Sequence, residues 1–198
     1  MPPSSSLPPR RLLLPLIAAS LLLLALGLVA LLPARSQGPA PAADAGGAAF
    51  EASRAEAPAP APEVAFEDAD GGTVTLADFR GKVVVLNLWA TWCAPCRLEM
   101  PSLDRLQAEL GGPDLEVVAL SVDRAGVDEV AAFLDEVGAG HLGLYRDPTM
   151  AATRALGALG LPTTVIVDRE GREVGRALGE REWDGEAVKA YLREVMGR

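Results

Sequence analysis

Cysteine and histidine are nearly absent from this chain: two cysteines and one histidine among 198 residues. Both cysteines fall in Trp92-Cys93-Ala94-Pro95-Cys96, so no disulfide can form elsewhere. A structural zinc site needs about four Cys or His ligands. Two cysteines and His141 fall short of that, and no metal site is expected; His141, in a Gly-flanked loop, reads as a solvated residue. Basic charge is short as well. Lys and Arg number 18 against 27 Asp and Glu, a net charge of −9. That balance argues against nucleic acid as a partner, and against binding of the folded part to anionic lipid. No internal repeat is evident.

Long apolar runs are also missing, with one exception. Residues 12–32 are almost wholly Leu, Ala and other apolar types, and only Pro15 interrupts them near the start. With about 20 residues the run is long enough to span a bilayer. Arg10 and Arg11 precede it and Arg35 follows it, which places residues 1–11 in the cytoplasm and the remainder outside. A cleaved signal peptide competes with this signal-anchor reading. Its apolar region is normally shorter, and Leu32-Pro33-Ala34-Arg35-Ser36 is a poor cleavage site. Residues 33–62 are dominated by Ala, Pro and Gly. They cannot bury enough apolar surface to offset chain entropy and read as a tether. Residues 63–198 are then one domain with one core.

Within that domain, strands are expected at 64–66, 73–76, 82–89, 115–122, 142–145, 163–167 and 173–177. Val83-Val84-Val85-Leu86 is the continuous apolar run of a central strand covered on both faces. Helices are expected from Leu98 to Leu110 with a kink at Pro101, over 127–137 and 149–159, and at the C-terminus. Asp184 can cap that last helix, whose inner face is Val188, Tyr191, Leu192 and Val195. The pattern is α/β, a mixed central sheet with helices on both faces.

The cysteine pair follows the central strand and opens a helix. Disulfide exchange needs a thiol that attacks and a second that releases it. The attacker must be substantially thiolate, and a helix N-terminus lowers a thiol's pKa. Cys93 stands at that junction, and Cys96 lies one turn further in as the sheltered partner. Pro95 suits a first helical turn. Trp89 and Trp92 flank the approach, though core packing explains Trp89 equally well. Pro162 in Leu161-Pro162-Thr163 precedes a strand; a cis bond there would leave the Leu161 backbone free to pair with an extended substrate, while an ordinary trans proline has the higher base rate. Glu99, three residues after Cys96, could move its proton. Spacing alone favours a surface glutamate paired with a neighbour such as Arg105.

The run Asn87-Leu88-Trp89-Ala90-Thr91-Trp92-Cys93-Ala94-Pro95-Cys96-Arg97-Leu98-Glu99-Met100-Pro101 resembles the active-site signature of the TlpA/ResA-type thioredoxin-like proteins. Gly160-Leu161-Pro162-Thr163-Thr164 resembles their second motif. The likeness spans residues 64 to the C-terminus, nearest in look to the TlpA branch. It implies a thioredoxin-like fold and a thiol–disulfide oxidoreductase without a cofactor. It further implies a single-pass protein of the bacterial inner membrane, its domain in the periplasm. Electrons would come from a transmembrane thiol donor and go to exported proteins with cysteine pairs, in cytochrome c maturation or copper-site assembly of cytochrome oxidase. The resemblance makes Cys93, Cys96 and Glu99 the catalytic set and Trp92, Pro95, Leu161 and Pro162 the substrate contacts, with Pro162 cis. Asn87 stands where thioredoxin has a buried aspartate, so proton transfer would fall to Glu99. Two alternatives stay open: a disulfide-donating oxidase, and a copper-binding assembly factor. The first usually has a His between its cysteines, and the second a three-residue spacing.

Overall fold

The computed structural model describes residues 54–124 and 126–197. The expected membrane segment at 12–32 lies outside them. Among the described residues no helix is long and apolar enough to cross a membrane.

Eight strands form one mixed sheet: β1 (Arg54–Pro60), β2 (Ala65–Glu67), β3 (Thr73–Thr75), β4 (Val83–Trp89), β5 (Leu115–Ser121), β6 (Tyr145–Arg146), β7 (Thr163–Val167) and β8 (Arg172–Leu178). Their spatial order is β1-β8-β7-β4-β5-β6-β2-β3. Helices α1 (Ala94–Leu110), α2 (Val127–Glu136), α3 (Ala151–Ala155) and α4 (Glu186–Met196) and a short 3-10 helix, Leu76–Phe79, complete the fold of the described residues. All seven side chains of β4 are buried. Successive residues of a strand point to opposite faces, so both faces of the sheet are covered there. This is the thioredoxin-like arrangement expected.

Topology decides where the site lies. Strand β4 runs parallel to β5, and β5 to β6, so Trp89, Ser121 and Arg146 end at one pole. Strand β7 is antiparallel to β4 and begins at that same pole. The loops after three strands and the Leu161-Pro162 entry to a fourth therefore converge. In open α/β sheets this carboxyl end is where sites are built.

Four expectations change, one of them the strand at 142–145, which is Tyr145–Arg146 alone. The tether does not extend to residue 62: Arg54–Pro60 is a strand, antiparallel to β8 at the edge of the sheet. Pro58 and Pro60 are compatible with it because an edge strand has unpaired positions for residues lacking N–H. Helix α3 is shorter than 149–159. The Asp147 carboxylate starts it by accepting from Ala152 N at 2.7 Å, and Gly157 at φ +61° ends it. Asp184 does not cap α4; Gly185 does, and the Asp184 carboxylate pairs with the Arg105 guanidinium.

Candidate active site

Helix α1 begins directly after Cys93, whose sulfur accepts a hydrogen bond from Cys96 N at 3.3 Å. The two cysteines form a disulfide with their Cα atoms 5.3 Å apart. Cys96 is fully buried and Cys93 is 6% exposed. The unpaired N–H groups of a 17-residue helix face Cys93 and favour negative charge on its sulfur once the disulfide opens. Pro95 occupies the first turn, where no N–H is missed.

The turn carrying Cys93 is held from behind. Cys93 N donates to Ala90 O at 3.1 Å, and Val122 N to Trp89 O at 2.9 Å. Asp123, buried just past β5, grips Thr91 with both carboxylate oxygens. Oδ2 accepts from Thr91 N and Oδ1 from Thr91 Oγ1, each at 2.9 Å. Ser121 Oγ also donates to Oδ2 at 2.8 Å. Sequence reasoning missed Asp123; its position at the carboxyl end of a buried strand was the available signal.

Beside Cys93 lies an open groove of about 510 Å³, lined by Trp92, Cys93, Pro95, Met150, Leu159 and Leu161 among others. Trp92 is 69% exposed and Leu159 93%. The Leu161–Pro162 peptide is cis, and Pro162 O accepts from Gly179 N at 2.9 Å. Of the four expected contact residues, Trp92, Pro95 and Leu161 line the groove beside Cys93, and Pro162 follows Leu161 through the cis bond. Trp89 does not join them. It is fully buried, its ring centroid 4.9 Å from that of Phe133, and it belongs to the core.

Glu99 is 1% exposed, beneath the pair on α1. Arg105 is not its partner. Oε1 accepts from Asn87 Nδ2 at 2.7 Å, and Oε2 from Trp183 Nε1 at 2.9 Å and Arg181 N at 3.1 Å. Register explains Asn87: it stands opposite Thr164 across β4 and β7, and Nδ2 also donates to Thr164 Oγ1 at 2.8 Å. Ser102 ties the cover down, donating to Glu99 O at 2.8 Å and accepting from Trp183 N at 3.0 Å. Burial pushes the Glu99 carboxyl up to about 7. The donations from Trp183, Asn87 and Arg181 hold it down against that push, and the charge of Glu180 adds slightly to the rise. The carboxyl therefore changes charge near neutral pH. An open cleft of about 480 Å³ between α1 and residues 180–182 borders it. Trp183 was missed from sequence, although one large aromatic in the charged run Arg181-Glu182-Trp183-Asp184 signals an anchor.

His141 is an exposed loop residue, as expected, and it also makes a contact. Its Nδ1 lies 2.9 Å from Asp104 Oδ2 and its N donates to Asp104 Oδ1 at 2.6 Å, tying its loop to α1. Among the described residues no group of three or more His, Cys, Asp or Glu stands together to hold a metal ion.

The chain matches the redoxin family over residues 56–192. It belongs to that family. The thiol-disulfide oxidoreductase ResA of Bacillus thuringiensis (strain Al Hakam) is 30% identical over 136 residues, which cover 68% of this chain and 76% of that protein. Two solved structures agree. One, from Chlorobium tepidum and assigned as a thiol:disulfide interchange protein DsbE, is 32% identical with a TM-score of 0.63. The match covers 71% of this chain and 97% of that one. The exposed lipoprotein thioredoxin Etrx1 of Streptococcus pneumoniae is 26% identical with a TM-score of 0.57, covering 67% and 98%. This redoxin is a thiol–disulfide oxidoreductase of the ResA/DsbE type, with Cys93 and Cys96 as its cysteine pair.

Proposed function

We propose that this redoxin is a reductase held at the bacterial inner membrane by residues 12–32, its domain facing the periplasm. The observation that carries the chemistry is the disulfide at the start of α1 with a buried carboxyl, poised near neutral pH, one helical turn below Cys96. Cys93 attacks a substrate disulfide as the thiolate, aided by the helix N-terminus. The mixed disulfide lies in the groove against Trp92, Pro95, Leu161 and Pro162. Glu99 takes the proton of Cys96, whose thiolate then attacks Cys93 Sγ and releases the reduced substrate. Substrates are exported proteins with cysteine pairs, of the cytochrome c or copper-site kind, and a transmembrane thiol donor restores the dithiol. Nothing in this cycle needs a metal or cofactor. The near resemblance to TlpA supports the same reading.

Equilibration of the pair with glutathione tests the direction. A reductase has a potential near that of thioredoxin, roughly −270 mV. A value above about −150 mV would make the protein a disulfide donor instead.

A further inference from the structure

Arg97 is a cation directly after Cys96 in the chain. Its N donates to Cys93 O at 3.2 Å, the first i to i+4 step of α1. Residues four apart on a helix share a face, so the Arg97 side chain starts from the face that carries Cys93. A guanidinium laid over the Cys93 sulfur would stabilise the thiolate. Helix α2 takes it instead. Arg97 Nη2 pairs with Glu136 Oε1 at 2.7 Å, and its Cζ sits 4.6 Å from the centroid of the Phe133 ring. Phe133 is 5% exposed and fixed against buried Trp89, so the platform under the guanidinium is part of the core. Among the described residues no charged side chain lines the groove beside Cys93. Other charged groups around the site, among the described residues, are Glu99 on α1, Asp123, Arg124 and Glu129 bordering the far side of Trp92, and Arg105, Glu180, Arg181 and Glu182 around the Glu99 cleft.

We propose that Phe133 and Glu136 are positioning residues that hold Arg97 away from Cys93 and so limit the acidity of the nucleophile, keeping the pair strongly reducing. A less stabilised thiolate makes the dithiol a better donor, because the reduced form is then less favoured. The inference rests on the reading of Cys93 as the attacking thiol.

Glu136 has a side chain 65% exposed, so Glu136→Gln spares the fold. The measurement is the pH midpoint for alkylation of Cys93 by iodoacetamide in the reduced full-length chain, with the label located by peptide mass spectrometry. Glu136→Gln frees Arg97 and lowers the midpoint by about half a unit, or roughly threefold faster labelling below it. The potential against glutathione rises with it. Combining Glu136→Gln with Arg97→Gln returns the midpoint to that of Arg97→Gln alone. An unchanged midpoint in Glu136→Gln overturns the proposal, as does an equal fall in the double variant, where the Glu136 charge would act by itself. Labelling of Cys96 before Cys93 in the unsubstituted chain overturns the reading of the nucleophile; labelling of Cys93 with an unmoved midpoint overturns the positioning role alone.

Discussion

Trp183 donates its indole N–H to Glu99 Oε2 at 2.9 Å, joining residues 84 positions apart in the chain. The contact closes the segment after β8 over α1. Burial drives the Glu99 carboxyl toward the neutral form, and the donor set of Trp183, Asn87 and Arg181 favours the ion. The balance leaves the group at about 7, where a proton can be both taken and returned.

Trp183→Phe keeps an aromatic ring, smaller than the indole, and removes the donor. Loss of a hydrogen bond to the charged form moves the Glu99 carboxyl above about 7, by about one unit. The check is the carboxyl carbon shift of Glu99 followed by NMR against pH. A midpoint that stays or falls would contradict the balance described.

Glu99 also makes stability depend on pH. Unfolded, its carboxyl ionises near the ordinary 4.5, and folded near 7. Below pH 4.5 both states hold the proton and the native state carries no penalty. Between those values the unfolded chain releases its proton first, so stability falls as pH rises, and the loss is complete above about 7. Its size is on the order of 3 kcal/mol. Urea unfolding of the unsubstituted chain and of Glu99→Gln, compared across pH 4 to 8, reads this as a loss of stability of the unsubstituted chain relative to the variant as pH rises. A difference independent of pH would show that the carboxyl ionises normally.

Asp123→Ala strips both acceptors from half-buried Thr91 and leaves the buried Ser121 hydroxyl without this acceptor. The expected cost is about 2 kcal/mol or more in urea unfolding. The Cys93 turn also loses its tie to β5, so labelling of Cys93 in the folded state slows. Unaltered stability and labelling would mean that the turn holds itself.

Much of this was legible in the sequence, and for a physical reason. Val83-Val84-Val85-Leu86 is apolar on both alternating faces, which only a doubly covered strand satisfies. The Cys93–Cys96 spacing and Pro95 mark a helix start from local geometry alone. Glu99 was harder. Spacing put it one turn from Cys96, but its burial depends on Arg181 and Trp183, which local pattern cannot bring near. For the same reason Arg105 looked like its partner, whereas the fold gives Arg105 to Asp184. The strand at Arg54–Pro60 was hidden by its prolines, which read as tether until β8 offers them an edge.

Trapping tests the central claim most directly. Cys96→Ala removes the resolving thiol, so the mixed disulfide has no route to release from within. Incubated with a disulfide-containing exported protein, the reduced variant accumulates a covalent adduct at Cys93, found by mass spectrometry and lost on adding dithiothreitol. Cys93→Ala forms none. Equal adduct formation through Cys96 in Cys93→Ala, or no adduct in Cys96→Ala, would contradict the account.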